Sequence, residues 1–310
     1  MQKAQPIVVV LGTGGTIAGT AADAADNVGY RAAQLGADRL VALIPALAGE
    51  AVEVHQVAQI DSKDMDVVTW RALATRVDAQ LARPEVGGVV ITHGTDTLEE
   101  TAYFLHRVLA PAKPLVLTAA MRPATALLAD GPQNLLDAVS VARSEGAGGV
   151  LAVLAGTVFG AVGLRKAHPY RLDAFTAGDA GPLARVEDGR LRRFRDWPQA
   201  EALGLQRIEP DTATWPRVEI VFSHAAADGA LVPALVALGA RGIVVAGTGN
   251  GSLHHRLETA LREAIGHGAE VLRCTRCAEG SVVGQPAGAL PSAGALTPVQ
   301  ARVELMLRLL

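Results

Sequence analysis

The stretch Val8–Gly19, V-V-V-L-G-T-G-G-T-I-A-G, constrains the chain more than any other. Val8–Leu11 is a short, β-branched apolar run bounded by glycine, the pattern of a strand buried in a parallel sheet. Glycines at 12, 14 and 15 permit positive φ and let a ligand lie against the main chain. Thr16 is thereby placed on a turn just past the carboxyl end of a first strand, where open α/β sheets take their ligands. A tight glycine turn with an incidental threonine is the plain alternative. A dinucleotide site is the sharper one, but G-x-G-x-x-G counted from Gly12 puts Ile17 at the third glycine. The second candidate, Gly247–Ser252, fails in the same way at Ser252, and no Gly-Lys pair exists to make a phosphate-cradling loop. A hydroxyl presented on a glycine turn suits a nucleophile.

Bulk properties narrow the class. A chain of 310 residues, half of them apolar, suits one large or two medium α/β domains with a full core. Net charge −3 and a pI near 6.2 leave no electrostatic footprint for nucleic acid or an anionic membrane. The start of the chain runs straight into the first strand, with no room for the apolar region of a signal peptide. A cytoplasmic protein is expected, unless a leader has been removed. Gly146–Leu164 is 19 residues without a charge, long enough to suggest a membrane span. Its six glycines make it read instead as strand, turn and strand. Cys274 and Cys277 form a single C-x-x-C, a poor zinc site without a second pair, on a strand Val271–Cys277 that would put the thiols on opposite faces.

The remaining chain alternates β and α. Thr20–Gly29 is small, polar and without periodicity, a candidate lid ending in Tyr30. Gly36–Leu47 has helical spacing, and Ala51–Ala58 alternates as a strand. The polar turn Asp61–Asp64 then opens a helix over Asp66–Ala82, where Ser62 or Asp64 is as readily a helix cap as a functional group. The strand Gly87–Thr92 runs into His93-Gly94-Thr95-Asp96-Thr97, more polar groups around a glycine than a cap requires. Leu115–Thr118, a helix around Pro132–Arg143 and the strand Val150–Leu154 follow, and Leu164-Arg165-Lys166 closes the long apolar segment. Lys166 is a solvated strand end or, if desolvated, a proton carrier. A linker is expected over 191–216, between a domain of residues 1–190 and a second α/β domain of 217–310. The latter ends in a helix opened by Thr297-Pro298. Parallel sheets in both domains are the economical arrangement.

These residues together resemble the bacterial L-asparaginase family, and in detail the type II branch that includes the glutaminase-asparaginases. Thr13–Gly19 matches its first signature and Ile91–Ala102 its second, with the E-E-T-A tail of that branch. Ala120–Pro123, Ala129–Pro132 followed by Asn134-Leu135, and Ala246-Gly247 through Gly249–Gly251 match in order as well. The landmarks span nearly the whole chain. The resemblance implies a two-domain fold with a larger, mostly parallel N-terminal sheet flanked by helices and a smaller C-terminal parallel α/β domain.

By the same resemblance Thr16 is the nucleophile that attacks the side-chain amide carbon, and Tyr30 helps take its proton. Thr95, Asp96 and Lys166 match the second catalytic group, in which the lysine tunes a threonine hydroxyl. Ser62 matches the residue that holds the substrate's α-carboxylate, Asp96 also faces its α-ammonium, and Ser252 matches a contact supplied by the neighbouring subunit. A homodimer or homotetramer, with no cofactor and no metal, is implied. Two positions depart from the pattern. Lys63 stands in the substrate-binding pair where the family usually has glutamine. The acidic flap is replaced by the glycine-, alanine- and proline-rich stretch 280–295, with Glu279 the only acid between Val271 and Val303. The implied activity is hydrolysis of L-asparagine to L-aspartate and ammonia through an acyl-threonine. A broader glutaminase-asparaginase and a catalytically silent amino-acid-binding protein are the alternatives.

Overall fold

Val8–Leu11 is completely buried, and the strand it belongs to, β1 (Ile7–Gly14), lies between β2 (Val52–Ile60) and β3 (Val86–Thr92), parallel to both. The computed structural model describes residues 5–310. They form two units: one runs to Ala177 and takes in Gly181–Leu205, and the other holds Gly178–Ala180 and Gln206–Leu310. The division at Leu205 falls inside the stretch read as a linker.

In the first unit, β4 (Pro114–Thr118) and β5 (Gly149–Leu154) continue the sheet in parallel, in the order β2-β1-β3-β4-β5. Because the chain moves from β1 outward to β2 and then back across to β3, the sheet has a switch point between β1 and β3. Loops leaving the carboxyl ends of those two strands diverge and leave a crevice. Around the sheet lie α1 (Ala37–Ala42), α2 (Val67–Leu81), α3 (Leu98–Leu109) and α4 (Gly131–Arg143). Helix α2 shows why its sequence folds so. Asp66 caps it by accepting the Thr69 N–H at 2.8 Å, and Trp70, Leu73, Ala74 and Val77 form one buried stripe.

Three readings are corrected. Gly36–Leu47 is not one helix: α1 stops at Ala42, and Pro45–Leu47 forms a separate 3₁₀ turn. Proline lacks an N–H and drives the residue before it out of the helical region, and Ile44 is extended at φ −112°. The first sheet is not parallel throughout. Ala155 and Gly156, both at positive φ, make a two-residue hairpin turn after β5, too short for a crossover helix. The sheet therefore continues antiparallel through β6 (Thr157–Gly160), β9 (Ala184–Glu187) and β10 (Arg190–Arg193). Between them a separate ladder pairs β7 (Arg165–Lys166) with β8 (Phe175–Thr176). So β10 occupies the first residues read as linker, and the apolar run Gly146–Leu164 is sheet. No helix among the described residues is long and apolar enough to cross a membrane.

The second unit is a parallel sheet of β11 (Arg217–Phe222), β12 (Ala240–Gly247) and β13 (Glu270–Thr275), with α5 (Leu231–Ala237), α6 (His255–Gly266) and α7 (Pro298–Leu309). Thr297 caps α7 and Pro298 occupies its first turn, as the sequence leads one to expect. The third correction lies here: the sequence spacing predicts a helix over Ser252–Ile265, which Ser252 does not begin. It exchanges main-chain hydrogen bonds with Thr248 at 2.9 and 2.8 Å, and α6 starts three residues later behind its cap, His254. Strand β13 ends before Cys277, which is exposed, while Cys274 is buried and its thiol pushed up to about 12 by that burial.

Glycine matters most where β1 ends. Gly15 has φ +78°, and a Cβ on it would land on the Cα and N of Gly94. Gly49, at φ +81°, faces open space. Gly15→Ala should therefore cost about 2–5 kcal/mol, the left-handed strain plus overpacking, against about 1–2 kcal/mol for Gly49→Ala. Urea unfolding of both variants checks this; equal losses would show that main-chain contact at Gly15 is not tight.

Candidate active site

The turn after β1 carries Thr16, which is 8% exposed. Its hydroxyl and the hydroxyl of Tyr30 lie 2.7 Å apart. Tyr30 is brought back by a closed excursion of chain: Thr20 and Arg31 exchange main-chain hydrogen bonds, each 2.9 Å, so residues 20–31 leave and return at one point. That loop is also tied to the segment after β4. Ala21 donates to Thr125 Oγ1 at 2.8 Å, Ala124 donates to the Gly19 carbonyl at 2.9 Å, and Leu127 to that of Ala24 at 3.0 Å. Below Thr16, Ile17 packs where a Cβ on Gly131 would stand, 2.8 Å from its Cγ1.

The turn after β3 carries the second group. Lys166 Nζ donates to Thr95 Oγ1 at 2.8 Å and to Asp96 Oδ1 at 2.6 Å. Thr95 is 4% exposed, while the Asp96 side chain is half exposed, so a buried hydroxyl and an accessible carboxylate share one ammonium. The main-chain N–H of Thr95 meets no acceptor among the described residues, which leaves a donor available to a developing oxyanion.

The turn after β2 supplies Ser62, 2% exposed. Its hydroxyl accepts the Asp96 N–H at 3.2 Å, and its carbonyl accepts from Thr97 Oγ1 at 2.7 Å. Ser62 is not a helix cap. Asp61 caps its short 3₁₀ turn and Asp66 caps α2, so its burial against the Asp96 turn needs another purpose. Three loops thus converge: a Cβ on Gly94 would strike Ser62 Oγ, and one on Gly14 would strike the Ile60 carbonyl.

Thr16, Tyr30, Ser62, Thr95, Asp96 and Lys166 all belong to the first unit and are linked by these contacts. Lys63 follows Ser62 but turns away: its ammonium lies 2.5 Å from Asp64 and 3.9 Å from Asp61. Asp64 first, then Asp61 and Asp96, raise its pKa further. Ser252 belongs to the second unit, in the Thr248–Ser252 turn. Among the described residues, no cluster of three or more His, Cys, Asp or Glu is arranged to hold a metal.

Sequence reasoning left out a buried polar chain behind the second turn. His93 is fully buried, with Nδ1 2.7 Å from the Gly94 carbonyl and Nε2 3.0 Å from Thr101 Oγ1, which Trp70 Nε1 approaches at 2.9 Å. The directions follow from chemistry. An indole N–H only donates and a carbonyl only accepts. Thr101 therefore takes the Trp70 proton and gives its own to Nε2, and Nδ1–H holds the Gly94 carbonyl. Burial pulls the imidazole down to about 4, so at neutral pH it is a neutral strut. The signal was present as a histidine beside the Gly94 turn and a Trp70 on a buried stripe, but only the tertiary fold joins them. Asp130 and Asn134 are likewise structural. Asp130 accepts the N–H of Met121 and Arg122, while Asn134 bonds Ala119 and Ala155, pinning the loops after β4 and β5.

The chain is similar to known proteins along nearly its whole length. The model of the N-terminal asparaginase domain matches residues 7–199, and that of the glutaminase/asparaginase C-terminal domain matches 217–310. A glutaminase-asparaginase of Pseudomonas fluorescens is 38% identical over 89% of this chain and 77% of its own. L-asparaginase 2 of Escherichia coli is 35% identical over 99% of this chain and 89% of its own. The crystal structure of a probable cytoplasmic L-asparaginase from Campylobacter jejuni superposes with a TM-score of 0.91 at 36% identity, covering 98% of this chain and 95% of that one. The chain belongs to the asparaginase family.

The buried imidazole makes stability pH-dependent. Its folded pKa lies below the free value of 6.5, so its contribution is full above 6.5 and is lost as pH falls through about 4. The loss is on the order of 3 kcal/mol. His93→Gln should be less stable than the parent at pH 8, with the gap closing between pH 6.5 and 4 in urea titrations at fixed pH. A gap independent of pH would show that the charge state of His93 is irrelevant to the fold.

Proposed function

We propose that this asparaginase-family chain hydrolyses L-asparagine to L-aspartate and ammonia through an acyl ester on Thr16. The observation that carries the reading is the pairing of two hydroxyl-centred groups across the Gly15–Gly94 contact. One is Thr16 with Tyr30; the other is Thr95 with Lys166 and Asp96. A threonine hydroxyl is a weak nucleophile and needs a proton acceptor within hydrogen-bond reach, and Tyr30 stands at that distance. Thr16 Oγ attacks the amide carbon, and the Thr95 N–H faces the oxyanion, a kind of donor worth roughly 3–4 kcal/mol in other enzymes. Collapse expels ammonia, and the Thr95–Lys166–Asp96 group assists water in cleaving the ester. Ser62 and Asp96 hold the α-carboxylate and α-ammonium. The scheme uses the chain's own side chains, one main-chain N–H and water.

Comparable action on L-glutamine is the second reading, favoured by the glutaminase-asparaginase among the relatives. A homodimer or homotetramer in which Ser252 of one copy reaches its neighbour's substrate is proposed on the family resemblance. The cytoplasm is proposed as its location, on the label of the Campylobacter neighbour.

Thr16→Ala should lower ammonia release from L-asparagine at least 1,000-fold while leaving the urea midpoint within error, since a turn hydroxyl carries little stability. Retained turnover would assign the nucleophile elsewhere, and no release by the parent protein from either amide would favour a binding role. Light scattering of the same samples tests the assembly, because a fully active monomer would remove Ser252 from the site.

Because Lys63 is engaged by Asp64, its charge is spent locally, and Lys63→Gln should change the KM for L-asparagine less than threefold. With no acid besides Glu279 in the flap stretch, Asp96 is the main partner of the α-ammonium. A lost charge-assisted hydrogen bond is worth about 1.5–3 kcal/mol, so discrimination against succinamic acid, which lacks that amine, should be no more than roughly 10- to 100-fold, the worth of one such bond. Steady-state kinetics on both compounds decide it: a tenfold fall in KM for Lys63→Gln would mean the lysine reaches the pocket, and strong rejection of succinamic acid would reveal a second partner.

A further inference from the structure

Lys166 serves the site from a poor platform. Strand β7 is two residues long and pairs with β8, itself two residues, outside the eight-stranded sheet. A side chain as long as lysine, on so short a ladder, is not held at 2.6–2.8 Å from two acceptors by the strand alone. The first turn of α3 supplies what is missing. Glu99, three residues after Asp96, accepts the main-chain N–H of Lys166 with its carboxyl group. Asp96 takes the ammonium of the same lysine. The start of α3 and the turn that leads into it therefore grip Lys166 at both ends.

A glutamate near a helix start needs no special purpose, since its charge complements the helix dipole from the solvated surface. Glu99 does not sit that way. Its carboxyl is largely buried, with Oε2 enclosed and, among the described residues, without a partner, and an unsatisfied buried acceptor costs about 1–3 kcal/mol. Burial is the chief reason its pKa rises to about 7; Glu100 beside it acts in the same sense, while Arg165, Lys166 and the Lys166 N–H oppose it. Near neutrality the group is thus about half carboxylic acid, whose carbonyl oxygen can still accept the N–H. A fold bears such a cost where geometry depends on it.

We propose that Glu99 is a positioning residue for Lys166, fixing the main chain of β7 so that Nζ reaches Thr95 and Asp96 together. The inference rests on the reading of Lys166 as part of the second catalytic group. Glu99→Leu removes the acceptor, and Glu99→Gln keeps one in a neutral group of the same shape. With L-asparagine, Glu99→Leu should lower kcat at least tenfold with KM within threefold, and Glu99→Gln should recover most of that kcat. Hydrogen exchange at the Lys166 amide, read by mass spectrometry, should quicken at least tenfold in Glu99→Leu and stay close to the parent in Glu99→Gln. Parental kcat and exchange in Glu99→Leu, a Gln variant as impaired as the Leu variant, or a loss confined to KM would each overturn the proposal. Lys166→Met separates the two readings: full kcat in that variant removes Lys166 from catalysis, while the exchange measurement still decides whether Glu99 holds its main chain.

Discussion

Gly15 and Gly94 meet main chain to main chain with no side chain between them, and the spacing of the site follows from that approach. A Cβ on either would collide with the other loop or with Ser62. The turns after β1, β2 and β3 are thereby drawn together at the switch point of the sheet. The strands below supply the rigidity: Gly12 pairs with Thr92 and Gly14 with Ile60, so the loops start from registers set by the ladder. Without the contact, each turn would still form, but the two hydroxyl-centred groups would have no common origin.

Bringing loops so close buries polar groups, and behind the Gly94 turn the structure answers them with a chain of partners. The Gly94 carbonyl is held by His93, which is held by Thr101, which is held by Trp70. Trp70 also stacks on Phe104 at 4.9 Å, so the chain ends in apolar core. An acceptor left unpaired there would cost about 1–3 kcal/mol. In a buried network of this kind each bond fixes the direction of the next. The neutral imidazole is therefore a consequence of the packing and has no place among the proton carriers.

Much of this was legible in the residues. The buried strand before Gly12, the hydroxyl at Thr16, the polar turn at His93–Thr97 and the cap at Thr297 are local patterns, and local physics decides them. Other features depend on neighbours distant in sequence. Pro45 was present to be read and outweighs the helical spacing around it. The antiparallel half of the sheet turns on two consecutive positive φ values at Ala155 and Gly156, which an alanine does not advertise. Ser62 could not be told from a cap until Asp61 and Asp66 were seen to fill that role. Lys63 reads as a charge beside the substrate until its choice of Asp64 is seen.

The loop carrying Tyr30 differs in kind from the rest of the site. No residue from Thr20 to Tyr30 is buried, so apolar packing does not anchor it. It is held by the Thr20–Arg31 pair, by the links to Thr125 and Leu127, and by Tyr30 on Thr16. Bonds of this sort net about 0.5–1.5 kcal/mol each, far less than the burial that holds Thr16 and Ile17. Such segments lie at the low end of local opening energies. Opening would take Tyr30 away and leave Thr16 in place, since Ile17 remains packed against α4 at Gly131. Thr16 and Tyr30 thus sit on elements of unequal stability. In the proposed reaction, substrate enters when the weaker one yields, and Thr16 has its proton acceptor only when that element returns.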